Sequence, residues 1–289
     1  MKNRIEYILF ILLSLLCRVI GLTASRKFSA ALAFFFYNFI PIRKKVVLNN
    51  LINAFPDLSE KEIKRIAYGS YKSFTLTLVE ILYLPWMTKE QIISSVKFEN
   101  LNLILKKEKE NNGVILLSAH FGNWEYCAIS GGIQTGRKFS VVVKPQRNTI
   151  VDEWMNKART KWNNDVVPLG ISIRNIVSVL HKKGIVAMVA DQRGPEESIK
   201  LEFFGRKTSV HTGPAVLALK MNSPIIYGIT VRQPDNSYKA IIDEISKENL
   251  PDNFDDKVKV LTDRMLKYLE EKIRQNPEQW FWMHNRWKH

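Results

Sequence analysis

Leu116-Leu117-Ser118-Ala119-His120-Phe121-Gly122-Asn123-Trp124-Glu125 is the stretch on which the reading of this chain turns. The apolar run from Val114 to Leu117 has the length of a buried strand, and polar residues take over at a histidine just beyond it. Gly122 then loosens the backbone, and a carboxylate follows five residues after the histidine. Open α/β folds bind ligands at the carboxyl ends of their strands, so HxxxxE at such an exit presents an imidazole and an acid where chemistry is done. Imidazole is the side chain best suited to moving a proton near neutral pH.

Outward from this stretch the pattern repeats. Apolar strand candidates lie at 114–117, 139–143, 166–167, 185–190 and 224–231, with helical patterns at 125–134, 150–163, 172–182 and 212–221. Strands alternating with helices of that length predict βαβ units. The expected fold is α/β: a mixed, largely parallel central sheet flanked by helices. Residues 96–98 and 238–242 add short strands, the latter near an edge, and a last helix covers 255–274 before Pro277. Upstream, Asp57-Leu58-Ser59 with Glu62 reads as a capping box opening a helix towards Tyr83, where Pro85 stops it.

The N-terminus departs from this rhythm. Lys2 and Arg4 precede an apolar run from Tyr7 to Cys17, Arg18 interrupts it, and a second apolar segment spans 28–42 before Arg43-Lys44-Lys45. Two apolar segments bracketed by cations read as a membrane anchor over 1–45, with a catalytic domain over 46–289. Arg18 would snorkel towards an interface. A pair of buried core helices is the competing reading. The formal net charge of +15 calls for an anionic partner, such as an acidic membrane surface, an acidic protein or nucleic acid. No nucleic-acid motif appears, so nucleic acid is not expected.

His120 and Glu125 are the candidate catalytic residues. Five residues turn an ideal helix through about 500°, so the two do not share a helical face. The pair works if His120 sits on the strand-to-helix turn and Glu125 reaches back from the first helical turn to one imidazole nitrogen. The other nitrogen then takes a proton from a substrate hydroxyl. The spacing serves equally well a histidine satisfied by backbone and a glutamate acting as a helix N-terminal charge.

No protein nucleophile competes for the role: there is no GxSxG elbow, and neither Cys17 nor Cys127 has an obvious partner. P-loop and GxGxxG patterns are absent. His181, His211 and His284 are scattered without HExxH spacing, so no metal is expected. A base without a nucleophile fits direct attack of a substrate hydroxyl on an activated carbonyl.

Two further strand ends carry polar groups. Ala190-Asp191-Gln192-Arg193-Gly194-Pro195 offers Arg193 for a phosphate and Asp191 to orient it or bond a sugar hydroxyl, or else is an ordinary Gly-Pro turn. Lys144-Pro145-Gln146-Arg147-Asn148 follows the 139–143 strand and is likewise cationic. Downstream, Thr212 is placed to cap the next helix. The C-terminal Gln279-Trp280-Phe281-Trp282-Met283-His284-Asn285-Arg286-Trp287-Lys288 interleaves aromatics with polar residues, as a final strand with alternate faces or an interfacial aromatic belt would, and core packing is the reading for most of the rings.

These blocks resemble the bacterial lipid A late acyltransferases (lauroyl and myristoyl acyltransferases), whose relatives include mycobacterial phosphatidylinositol mannoside acyltransferases. The resemblance covers nearly the whole chain. It is carried by the apolar N-terminus, SAHFGNWE at 118–125, DQRGP at 191–195, FFGR at 203–206, TGPAVLAL at 212–219 and PEQWFWMHNRWK at 277–288. It implies an enzyme of the bacterial inner membrane with its catalytic domain facing the cytoplasm. The implied reaction moves a fatty acyl group from acyl-acyl carrier protein, or acyl-CoA, to a glycolipid hydroxyl, with no cofactor beyond that co-substrate.

By the same resemblance His120 is the general base and Glu125 its acidic partner. Asn123, Lys144, Arg147, Asp191, Arg193 and Arg286 are substrate-binding. Lys144 stands where arginine is common, so Arg147 shares its role, and Arg193 stands where many relatives carry an acid. The EGTR-type block of glycerol-phosphate acyltransferases is missing, which argues against a lysophosphatidic acid acyltransferase. An acyl thioester hydrolase using the same base, or a non-catalytic basic membrane-binding protein, is the alternative.

Overall fold

The computed structural model describes residues 2–110, 113–170 and 173–288. Helix α1 (Lys2–Asn38) runs through both apolar segments and kinks at Gly21, whose φ of 78° breaks the helical path. It is long and apolar enough to cross a membrane, and only 17% of its most apolar window is buried against the protein. Ile8, Leu12, Val19 and Phe34 are among its outward-facing side chains. Arg18 does not break the helix; its guanidinium lies 4.3 Å from the centre of the Trp86 ring, which shields the charge by a cation–π contact. Helices α2 (Lys44–Ala54) and α3 (Glu60–Tyr83) follow, and α1 packs along α3. The expected capping box is present: Ser59 and Glu62 exchange side chain and backbone contacts at the start of α3.

The remaining chain builds one mixed sheet. Its elements are α4 (Lys89–Ser95), β1 (Val96–Glu99), α5 (Asn102–Glu110), β2 (Val114–Ser118), α6 (Trp124–Thr135), β3 (Phe139–Val143), α7 (Thr149–Thr160) and β4 (Asp165–Pro168). After them come α8 (Ile173–His181), β5 (Ile185–Val189), β6 (Lys200–Phe203), β7 (Arg206–Ser209), α9 (Gly213–Lys220), β8 (Ile225–Arg232), β9 (Tyr238–Ile245) and α10 (Phe254–Gln275). Residue 172, expected to open the helix that here is α8, lies outside the described residues.

The seven-stranded sheet has the order β1-β9-β8-β2-β5-β3-β4. Every pairing is parallel except β8 with β9. Strand β2 lies at its centre between β8 and β5, and its Val114 to Leu117 are buried. A buried parallel strand is covered on both faces, which is why it reads as an unbroken apolar run. The fold is thus α/β with a largely parallel sheet and a long apolar N-terminal helix. The sequence pattern did not foresee the β6–β7 hairpin, which turns at Phe204 and Gly205, both with positive φ. Among the described residues the segment after α10 forms no strand: Trp280 and Trp282 are buried in the core, and Phe121 makes an isolated antiparallel bridge with Trp280.

Candidate active site

Register assembles the centre of the site. Strands β2 and β5 are parallel neighbours with Ser118 opposite Val189, so the residues two positions further on, His120 and Asp191, leave the sheet side by side. The His120 backbone N–H donates to Asp191 Oδ2 at 2.9 Å, and the imidazole Nδ1 lies 2.7 Å from Asp191 Oδ1. Trp280 Nε1 donates to Oδ2 at 2.8 Å, bringing the C-terminal segment onto the same carboxylate. Burial alone would raise the Asp191 pKa; the imidazolium charge and these donors outweigh it and hold the carboxyl down at about 2. For His120, burial pulls the pKa down, but Asp191 and more weakly Glu125 carry it above the ordinary imidazole value.

Since Asp191 stays ionised it can only accept, so in neutral His120 the proton sits on Nδ1. Nε2 then carries the lone pair, and it has no hydrogen-bond partner among the described residues. The ring stands against Trp124 and Phe281 in a recess also lined by Phe74, Thr77 and Trp280, between α3 and the C-terminal segment.

The contact expected between Glu125 and His120 is not made. Glu125 is bound in a fork by Arg159 of α7, Nε to Oε2 at 2.9 Å and Nη2 to Oε1 at 2.6 Å, and both side chains are largely buried. The reason is helical geometry. Trp124, the first residue of α6, packs on the imidazole, and one further residue swings Glu125 by about 100° to another face. Asp191, expected at the substrate, takes the place given to Glu125.

Asn123, expected to bind substrate, is fully buried and spent inside the protein. Its Oδ1 accepts from the Tyr126 N–H as the cap of α6, and its Nδ2 donates to Glu80 Oε2, both at 3.0 Å. Thr212 precedes α9 without the side-chain cap expected of it.

The cations divide into two sets. Lys144 and Arg147 are exposed on the segment after β3. Arg286 is buried, with Nη1 donating to Thr208 Oγ1 at 3.0 Å and to the Ser209 carbonyl at 2.9 Å. Burial brings its pKa down to about 10, with Asp191 raising it and Arg193 lowering it. Arg286 Nε, Arg193 Nε and Nη1, and His284 Nδ1 are buried without hydrogen-bond partners among the described residues. Burial first, then Arg286, hold His284 at about 4. Arg193 and Arg286 therefore form a cationic pair beside an uncharged His284, and Arg286 and His284 lie within electrostatic reach of Asp191.

Reading along the sequence did not find Asp191 as the partner of His120, nor Arg159, Glu80 or Trp280. Asp191 was accessible from a signal already present: both it and His120 follow an alanine just past an apolar run, with Ser118 intervening before Ala119.

An ionised carboxylate holding a histidine with a free Nε2, at the ends of parallel strands, is an arrangement chemically able to take a proton from a hydroxyl. Residues 2–289 match the family of bacterial lipid A biosynthesis acyltransferases, and the chain belongs to that family; it is an acyltransferase. It is 24% identical over 253 residues to a lipid A biosynthesis lauroyltransferase of Escherichia coli (strain K12), covering 86% of this chain and 80% of the relative. The lipid A biosynthesis palmitoleoyltransferase of the same organism and a lipid A biosynthesis acyltransferase of Shigella flexneri are each 22% identical over 254 residues, with the same coverage.

Proposed function

We propose that the chain transfers a fatty acyl group from an acyl-acyl carrier protein thioester, or acyl-CoA, to a hydroxyl of a lipid A precursor or related glycolipid, with His120 as general base. The observation that carries this reading is the free Nε2 of an imidazole whose Nδ1 is held by Asp191. Nε2 takes the hydroxyl proton as the oxygen attacks the thioester carbonyl. The C–S bond then breaks, and the imidazolium returns the proton to the departing thiolate, so no acyl-enzyme forms. Asp191 keeps the proton on Nδ1 and stabilises the imidazolium.

The exposed Lys144 and Arg147 and the buried pair of Arg193 and Arg286 suit an acceptor that carries phosphate, and the net positive charge suits an acidic carrier protein. The apolar outer face of α1 supports residence at the bacterial inner membrane; the cations that bracket its apolar segments are the support for a catalytic domain on the cytoplasmic side.

The test supplies purified protein with acyl-acyl carrier protein or acyl-CoA and a lipid A precursor in mixed micelles, and follows the glycolipid by mass spectrometry. One added acyl chain is expected with the wild type. His120→Ala should reduce the rate by about 10³-fold or more while the protein still folds. Free fatty acid in place of acylated glycolipid would make the protein a thioester hydrolase, and undiminished transfer by His120→Ala would remove the base from the mechanism.

A further inference from the structure

A third buried carboxylate, besides Asp191 and Glu125, lies behind the His120 loop, and the acid–base chemistry does not use it. Glu80, in α3, is fully buried and accepts hydrogen bonds from four side chains on four different elements. Arg26 of α1 reaches Oε1 through Nε and Nη2, each at 2.9 Å. Oε2 accepts from Asn123 at 3.0 Å, from Arg232 of β8 at 3.3 Å and from the Tyr238 hydroxyl of β9. Asn123 is the last residue of the loop that carries His120.

A second route joins the same hub to the same loop: Arg232 Nη2 donates to Thr77 Oγ1 at 2.9 Å, and Thr77 Oγ1 donates to the Gly122 carbonyl at 2.8 Å. Gly122 has room for nothing larger. Its φ is +56°, and a Cβ there would stand 2.0 Å from the Thr230 carbonyl oxygen. The loop is therefore fixed both through its Asn123 side chain and by the groups that close on its backbone at Gly122.

Burying one carboxylate with two guanidiniums costs desolvation, and apolar packing of the same volume often matches or exceeds the stability of such a group. Donors converging from α1, β8, β9 and the loop instead give directional restraint. The member that comes from α1 sits on the helix with the exposed apolar face, five residues past the kink at Gly21.

We propose that Glu80 is a positioning residue that sets the geometry of the His120 loop and ties it, through Arg26, to the seating of the apolar helix α1. The proposal rests on the reading of His120 as general base. It assigns to α1 a part in holding the site as well as in anchoring the protein.

Glu80→Gln keeps the volume and removes the charge that both guanidiniums share. With the lipid A precursor as acceptor, kcat should fall about tenfold to a hundredfold, since small misplacements near a reacting group have effects of that size. KM for the glycolipid should stay within about twofold, because no substrate contact is lost. The acid limb of the pH–rate profile should move to lower pH as the His120–Asp191 contact loosens; the charged groups acting on His120 are Asp191 and Glu125.

Arg26→Gln should reproduce both changes more mildly, and the double variant should be no worse than Glu80→Gln alone, the sign of one shared contact. Should Glu80→Gln fail to accumulate, Arg26→Gln carries the test, since Arg26 is partly exposed and Arg232 still balances Glu80. A lowered melting temperature with kcat and the acid limb unchanged would reduce Glu80 to a structural role and overturn the proposal. Additive losses in the double variant would break the tie to α1. Failure of the base assignment itself would appear separately, as activity retained in His120→Ala.

Discussion

Two buried acids lie close enough to His120 for their charge to act on it, and they serve different neighbours. Asp191 comes from the neighbouring strand of the sheet, far away in sequence, and its whole carboxylate is taken by the His120 ring, the His120 amide and the Trp280 indole. Glu125 lies five residues from the histidine, and both its oxygens are taken by Arg159. The difference shows what a parallel sheet does to a local motif. Two residues that leave adjacent strands at the same level are held in contact by the register, whereas the first turn of a helix rotates each successive side chain away. Nearness along the chain chose the wrong partner, and nearness across the sheet supplied the right one.

Asp191→Asn breaks that contrast hardest. An amide in place of the carboxylate no longer selects the Nδ1–H tautomer or stabilises the imidazolium, and kcat should fall about 10³- to 10⁴-fold. The pH profile fixes the sign. In the wild type the free-base imidazole exists only above a raised pKa, so the acid limb lies above the ordinary value of 6.5. Removing Asp191 leaves burial as the main influence, and the limb should drop below that value. A limb that stays in place would mean that another group sets the His120 titration.

Glu125→Ala should act first on stability. It strands the Arg159 guanidinium, which is mostly buried, and removing one partner of such a pair costs about 3–5 kcal/mol. Melting of the detergent-solubilised protein measures this, and Glu125→Leu combined with Arg159→Met should recover most of the loss. Rates at a temperature where the single variant is folded should fall much less than in Asp191→Asn. A loss of equal size with normal melting would restore Glu125 to the catalytic role.

Lys144→Ala sharpens the comparison from outside, because it alters the site without touching either acid. An exposed cation contributes about 1 kcal/mol or less to holding an anion, so KM for the phosphorylated acceptor should rise by about fivefold or less with kcat unchanged. An effect on kcat would place Lys144 against the reacting atoms.

Much of the architecture was legible in the chain. The apolar runs of β2, β3, β5 and β8, the helices between them and the Ser59–Glu62 box could be read because period and capping are local properties. The β6–β7 hairpin was not, since its strands are short and highly polar, and its turn places Phe204 at positive φ, a conformation that no ordinary turn residue announces.

At the site, the position of His120 could be read, but its partner depended on strand order. Glu80 was hidden for another reason: an acid between Val79 and Ile81 looks like one more surface charge on a helix until the facing guanidiniums are in place. Trp280 belongs to a segment with no period at all, so its indole looked like packing.

The C-terminal segment also bears on how the protein comes into being. Phe281 donates its N–H to the His120 carbonyl, Gly122 donates to Gln279, and Trp280 reaches Asp191 from 89 positions away. Contacts between such distant parts of a chain close slowly, because loop entropy is lost before they form. The sheet depends on pairings of similar span, Val96 with Tyr238 and Ile115 with Ile225, so the wall around His120 belongs with these long-range contacts, which loop entropy delays relative to the local helices.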